Sequence, residues 1–321
     1  MKPAAALIGL AVMLPASAGA GEIETSLRGY FNVGGGVADP EGTDDQFGLF
    51  RDGEIHFRAI GVMDNGLTFT ARAELEAFSS GDQIDENWVA IGGAFGNLLF
   101  GGADSALNEH GGVGVVYPSG DYFNYYDGTG SVVPGDPGSM VGKDDAIGVR
   151  YWYEAGGFEV GASYQPDSGA DGGADSNNFV FEADNQYAVG ASYDQKFGDF
   201  GFAVGGGYLW NDDAEMGHVG LEFSFGGFTL AGFHDRETYD FGAPDLHRYG
   251  IGAEYRTGPW SFGGGYTLTD RKDGRGDDDF IQIGGGYALA PGVTAYGAAQ
   301  WGENERDIDG YGVFSWLNVN F

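Results

Sequence analysis

The chain has 321 residues, with 62 glycines, 24 phenylalanines, 18 tyrosines and no cysteine, so it offers neither a disulfide framework nor thiolate ligands for a structural zinc. Glycine and aromatic richness with few large aliphatics is unlike a close-packed soluble core and suits strands packed side by side around a wide interior. Forty-eight acidic residues against 15 basic ones leave a formal charge of −33, which excludes nucleic acid as a partner because both surfaces would repel.

In chain order, residues 1–20 carry one basic residue, Lys2, an apolar stretch and then Pro15 followed by Ala16-Ser-Ala-Gly-Ala20. This is the pattern of a cleaved secretory signal, with the mature chain expected from Gly21. No later segment supplies the roughly 20 consecutive apolar residues of a transmembrane helix. Residence in a membrane would therefore need a closed barrel, the other fold that satisfies every backbone polar group in hydrocarbon.

Beyond the signal, about sixteen short alternating runs follow at 24–36, 51–63, 67–78, 86–93, 98–104, 145–153, 158–165, 186–197, 200–210, 216–225, 228–237, 247–256, 260–270, 280–289, 293–303 and 310–321. Side chains alternate along a strand with a period of two. In the third run Leu67, Phe69, Ala71, Ala73 and Leu75 thus oppose Thr68, Thr70, Arg72, Glu74 and Glu76. Tight connections, Asp64-Asn-Gly66, 93–97, 154–157, Gly198-Asp199, Gly226-Gly227, Thr257-Gly-Pro259 and Ala290-Pro-Gly292, are built from turn formers. They alternate with longer acidic ones at 39–45, 82–86, 167–184, 211–215, 270–279 and 303–309.

Aromatics gather at run ends. Phe158, Phe200, Phe228, Trp260 and Phe321 lie near short turns, and Tyr164, Tyr193, Tyr208, Trp210, Trp301 and Tyr311 are assigned to the long-loop end. Two aromatic belts, short turns at one end and long loops at the other describe an all-β transmembrane antiparallel β-barrel of about sixteen strands. A soluble β-sandwich shares the periodicity; the loop asymmetry and the export signal favour the barrel. The last run ends Leu317-Asn-Val-Asn-Phe321, with Val319 and Phe321 on one face and Asn318 and Asn320 on the other.

One connection differs from the rest. Residues 103–144 form a segment of about 40 residues rich in Gly and Asp, carrying Tyr117, Tyr122, Phe123, Tyr125 and Tyr126, and a structureless loop that long is usually functional. Together with Gly66-Leu-Thr-Phe-Thr-Ala71, the stretch Ile91-Gly-Gly-Ala-Phe-Gly-Asn-Leu-Leu-Phe-Gly-Gly-Ala-Asp-Ser105 resembles Gram-negative general diffusion porins, particularly the alphaproteobacterial type. The order of signal, sixteen strands and terminal aromatic extends the resemblance over essentially the whole chain. It implies an outer-membrane, water-filled channel for passive diffusion of small hydrophilic solutes. It also implies a homotrimer in contact with lipopolysaccharide, handled by the barrel-assembly machinery through the strand ending at Phe321. The 103–144 segment would be the third extracellular loop, folded into the lumen as the constriction, with Asp104, Glu109, Asp121, Asp127 and Asp136 belonging to it by position.

Strand parity places Arg28, Arg58, Arg72 and Arg150 on the water-facing side, and the resemblance implies that such basic wall residues stand opposite the acidic loop. Guanidinium groups stay charged at any relevant pH, so they can hold a transverse field across a narrow water column. The alternative is that each neutralises a neighbouring carboxylate, as Arg72 could Glu74 or Glu76. No catalytic constellation accompanies them: the five histidines show no metal-ligand spacing, and no enzyme activity or resident cofactor is expected. The glycine runs at 34–36, 205–207, 263–265 and 284–286 lack a following helix and read as aids to strand curvature or close subunit packing. Loop carboxylates provide for loose Ca²⁺ binding, although Asp277-Asp-Asp279 lacks the EF-hand frame. Two further readings are a substrate-specific pore using the loop tyrosines and an exported acidic Ca²⁺-binding β-protein without transport.

Overall fold

The computed structural model describes residues 23–39, 46–78, 84–113, 146–166, 185–239, 245–272, 276–304, 306 and 308–321. The signal sequence and most of the longer connections lie outside the described residues. Sixteen strands form: β1 Ile23–Asp39, β2 Gln46–Val62, β3 Thr68–Glu76, β4 Ile84–Gly93, β5 Gly96–Gly102, β6 Ile147–Ala155, β7 Phe158–Gln165 and β8 Gln186–Phe197 make the first half. The second half is β9 Phe200–Trp210, β10 Ala214–Phe225, β11 Phe228–Tyr239, β12 Leu246–Thr257, β13 Trp260–Arg271, β14 Asp277–Ala290, β15 Val293–Glu303 and β16 Asp309–Asn320. Each pairs antiparallel with its sequence neighbours, and β1 pairs with β16 to close the ring.

Closure is pinned at the chain end. The register runs from Tyr30↔Asn320 to Asp39↔Tyr311. Phe321 extends it, accepting from the Gly29 amide at 3.1 Å and donating to the Gly29 carbonyl at 3.0 Å, while its ring stacks on Phe31. No sheet edge remains, the condition for a strand assembly to cross hydrocarbon. No helix among the described residues is long and apolar enough to cross a membrane.

Following the register round the ring sorts every strand into two faces. Val33, Phe57, Val89, Phe100, Val149 and Ile283 share the outer one, and all are exposed large apolar side chains. Polar and small residues share the inner face, including Asn32, Glu54, Arg150, Gln282 and Gln300. Among the described residues there is no central core. Its place is taken by small clusters on the inner wall, such as Ala38, Ala298, Phe314 and Trp316, and Ala106, Leu107, Ala188, Leu209 and Met216.

The tight turns fall where glycine allows positive φ. Gly227, at φ 87°, also has the Arg256 carbonyl 2.5 Å from where a Cβ would stand, so this turn tolerates no side chain without a shift. Three expectations need correction. Tyr193 sits at the short-turn end, its ring 4.3 Å from Phe158, because β8 has nearly reached its turn by that residue. The acidic stretches 82–86, 211–215 and 270–279 are not all loop, since β4 begins at Ile84, β10 begins at Ala214, and β13 runs to Arg271 with β14 beginning at Asp277. Asp278 and Asp279 are already engaged by Arg271 and the Tyr266 hydroxyl. Nor is 103–144 structureless throughout, for a short helix α1, Ala106–Gly111, opens it.

Candidate functional site

Two walls of the ring carry the chemistry. On β1–β3 the inner face holds the rows Arg28↔His56↔Glu74 and Arg58↔Arg72, with Trp88 of β4 opposite Arg72. Parity and register bring these side chains together, so three of the four predicted arginines meet on one patch, while the fourth, Arg150, stands apart on β6. His56 Nε2 is 2.7 Å from Glu54 Oε2, and Glu54 Oε1 accepts from the Tyr30 hydroxyl at 2.9 Å. Arg72 is ion-paired to Glu74 and lies 3.7 Å from Glu86. Arg28 and Arg58 are exposed and make no ion pair among the described residues. Neutralisation thus accounts for Arg72 and not for its two neighbours. Glu54, His56 and Glu74 place potential ligand atoms within 4.8 Å of one another, but the adjoining guanidinium of Arg72 already supplies positive charge to Glu74.

The other wall belongs to α1. Ser105 caps this helix, its hydroxyl accepting from the Asn108 amide at 3.4 Å, and the Ala106 amide donates to Ser163 Oγ on β7 at 2.9 Å. Arg150 Nη1 donates to the Asp104 carbonyl at 2.7 Å, and the Asp104 amide reaches Glu86 Oε1 at 3.4 Å. Arg150 is therefore buried under the start of the segment, unlike Arg28 and Arg58, and its Nη2 lies 3.8 Å from Glu109. Of the predicted loop acids, Asp104 and Glu109 are described at this wall. Asp121, Asp127 and Asp136 lie outside the described residues.

Glycines make the seat for α1. A Cβ on Gly190 would stand 2.1 Å from the Ala106 carbonyl oxygen, on Gly205 2.5 Å from that of Gly111, and on Gly207 2.6 Å from Leu107. The 205–207 run serves this approach and not strand curvature alone. Sequence reasoning missed both this seat and α1, although Ser105 before Ala-Leu-Asn-Glu was a legible cap.

Two histidines grip the helix and its exit. His110 of α1 is buried, stacks on Trp152 and donates through Nδ1 to Glu159 of β7. Burial, aided by Arg150, pushes its pKa down to about 4, so the imidazole is neutral at pH 7. On β10, His218 Nε2 faces the Val113 carbonyl oxygen at 2.9 Å and Nδ1 faces Asp235 Oδ1 at 2.5 Å.

A profile of the Gram-negative porin family matches residues 4–307. Among solved structures, an anion-selective porin from Comamonas acidovorans superposes with a TM-score of 0.68 at 16% identity, covering 94% of this chain and 100% of that one. The trimer form of OmpT from Vibrio cholerae gives 0.66 at 16% identity, covering 93% and 99%. A mutant of the Rh. blastica porin gives 0.61 at 16% identity, covering 93% and 100%. At such identities the superpositions establish the fold. Comparison with curated protein sequences finds no match.

Proposed function

Because the chain belongs to the Gram-negative porin family and forms an outer-membrane, water-filled channel for small solutes, we propose that its 103–144 segment enters the lumen and narrows it against the arginine wall. The observation that carries this is the glycine seat, which holds α1 on the inner face of β7–β10. In a ring of sixteen, β9 and β1 are eight strands apart, so the α1 wall and the Arg28, Arg58, Arg72 wall oppose each other across the water column. Solutes then pass by size and by the field between loop carboxylates, Glu109 among them, and the uncompensated guanidinium groups. No covalent step is involved.

The same reading includes cleavage after residue 20, association as a homotrimer, contact with lipopolysaccharide at the loop end and recognition of the final strand by the assembly machinery. Support for the last is Phe321 closing the barrel against Gly29. Loose Ca²⁺ binding would involve loop carboxylates, not the inner wall, where carboxylates such as Glu74 and Asp235 already have cationic partners.

Liposome swelling with sugars of graded size tests the constriction. Gly190→Val removes the space that α1 occupies while leaving the outer face untouched. It should raise the rate for the largest sugars several-fold and change that for the smallest little. Unaltered size discrimination in a correctly folded Gly190→Val barrel would count against the constriction.

A further inference from the structure

We propose that His218 is an imidazolium latch that holds the exit of α1 against the barrel wall and lets go when it loses a proton. This rests on the reading that the 103–144 segment narrows the lumen. The argument is one of donors and acceptors. The Val113 carbonyl oxygen and the Asp235 carboxylate can only accept hydrogen bonds, and they face the two ring nitrogens of one imidazole at 2.9 and 2.5 Å. Satisfying both requires a proton on each nitrogen. His110, by contrast, has one acceptor partner, Glu159, and leaves Nε2 without one.

Charge balance gives the same answer independently. Asp235 is buried between His218 and Arg248, whose Nη1 lies 3.6 Å away, and Arg248 Nη2 lies 3.4 Å from buried Glu237. Two carboxylates and one guanidinium leave this buried group one negative charge in excess. A protonated His218 brings it to zero, and an uncompensated buried charge is costly. The other groups facing His218 add little: β9 opposes it with Gly207, β11 stacks Phe233 on it, and Glu222 lies a full four residues along its own strand. From the α1 segment it meets the Val113 carbonyl alone, the charged Glu109 and neutral His110 being engaged at Arg150 and Glu159.

The latch is also closely fitted. A Cβ on Gly220, which follows His218 on the inner face, would stand 1.6 Å from the Val113 oxygen. Only a glycine lets the carbonyl come down to the imidazole. Deprotonation leaves one nitrogen as an acceptor. Asp235, ion-paired to Arg248, keeps the remaining N–H, and the Val113 carbonyl then faces a lone pair. The hold is present while the imidazole is charged and is lost as pH rises through its titration.

Two measurements test this on the full-length protein. Nitrogen NMR of the detergent-folded wild type with labelled histidine should show both His218 nitrogens protonated at neutral pH; a neutral tautomer there would overturn the proposal without any mutant having to fold. Swelling rates for large sugars should rise in one step from neutral to alkaline pH in the wild type. In His218→Gln, whose amide can donate to Val113 at every pH, that step should be lost. A wild type without the step, or a His218→Gln channel that keeps it, would likewise overturn the latch. Failure of the constriction reading is distinguishable, because Gly190→Val would then leave swelling unchanged while the NMR result still reports the charge on His218.

Discussion

Arg28 and Arg58 project into the lumen without an ion-pair partner among the described residues, while Arg72 next to them is held by Glu74 and Glu86. Their substitutions should separate accordingly. Arg28→Ser with Arg58→Ser removes field without removing structure, so heat-modifiable migration should match the wild type and the reversal potential should move toward cations. Arg72→Ser leaves buried Glu74 facing His56 alone and should lower stability, the loss of a hydrogen bond to a charged group costing about 1.5–3 kcal/mol. Leu75→Arg is the control on the lipid face, where a mid-membrane arginine costs roughly 2–4 kcal/mol, and folding yield should fall. A failed Arg28/Arg58 pair beside a tolerated Leu75→Arg would mean exchanged faces. Residue parity was legible because a period of two needs nothing beyond the chain itself. That Arg150 is spent on the Asp104 carbonyl was not, since a backbone contact across 46 residues leaves no mark on composition.

At the scale of elements, strands and turns were readable for the same reason that α1 was not. Each hairpin is a local event, an alternating run stopped by Gly226-Gly227 or Thr257-Gly-Pro259, and these turns stand where the residues placed them. A six-residue helix is too short to stabilise itself and exists because the wall accepts it. Its glycine seat is distributed over β7–β10 and becomes a seat only once the barrel closes. Docking of α1 should also depend on acidity. His110 has a folded pKa of about 4 against 6.5 unfolded, so undocked α1 binds a proton that docked α1 refuses. The contribution is intact above pH 6.5 and declines as pH falls toward 4. A cysteine placed by Leu107→Cys, buried in the docked state, should react faster with a water-soluble alkylating reagent at pH 5 than at pH 7 once rates are corrected for thiolate fraction. Substitution His110→Gln should remove that difference, and equal corrected rates in the parent would refute it.

For the whole molecule, sixteen strands and the asymmetry between turns and loops were legible, whereas ion selectivity is a sum over groups whose positions the sequence orders only in part. The net charge of −33 favours cations. Strand acids contribute as well as loops: Glu54, Glu159, Glu222 and Glu254 all fall on the inner face. Against them stand Arg28 and Arg58 at the narrowest part of the proposed path, and charge beyond a Debye length of roughly 8 Å at physiological salt is largely screened. The likeness to an anion-selective porin does not decide the sign, because at 16% identity it concerns the fold. We expect a weak to moderate cation preference that grows as salt is diluted, because a longer screening length brings more of the acidic surface to bear on a permeating ion while the local arginine field changes little. Reversal potentials in planar bilayers at a fixed concentration ratio, taken first at high and then at low absolute salt, measure both sign and trend. An anion-selective potential at every salt would show that Arg28 and Arg58 outweigh the acidic excess of the entire chain.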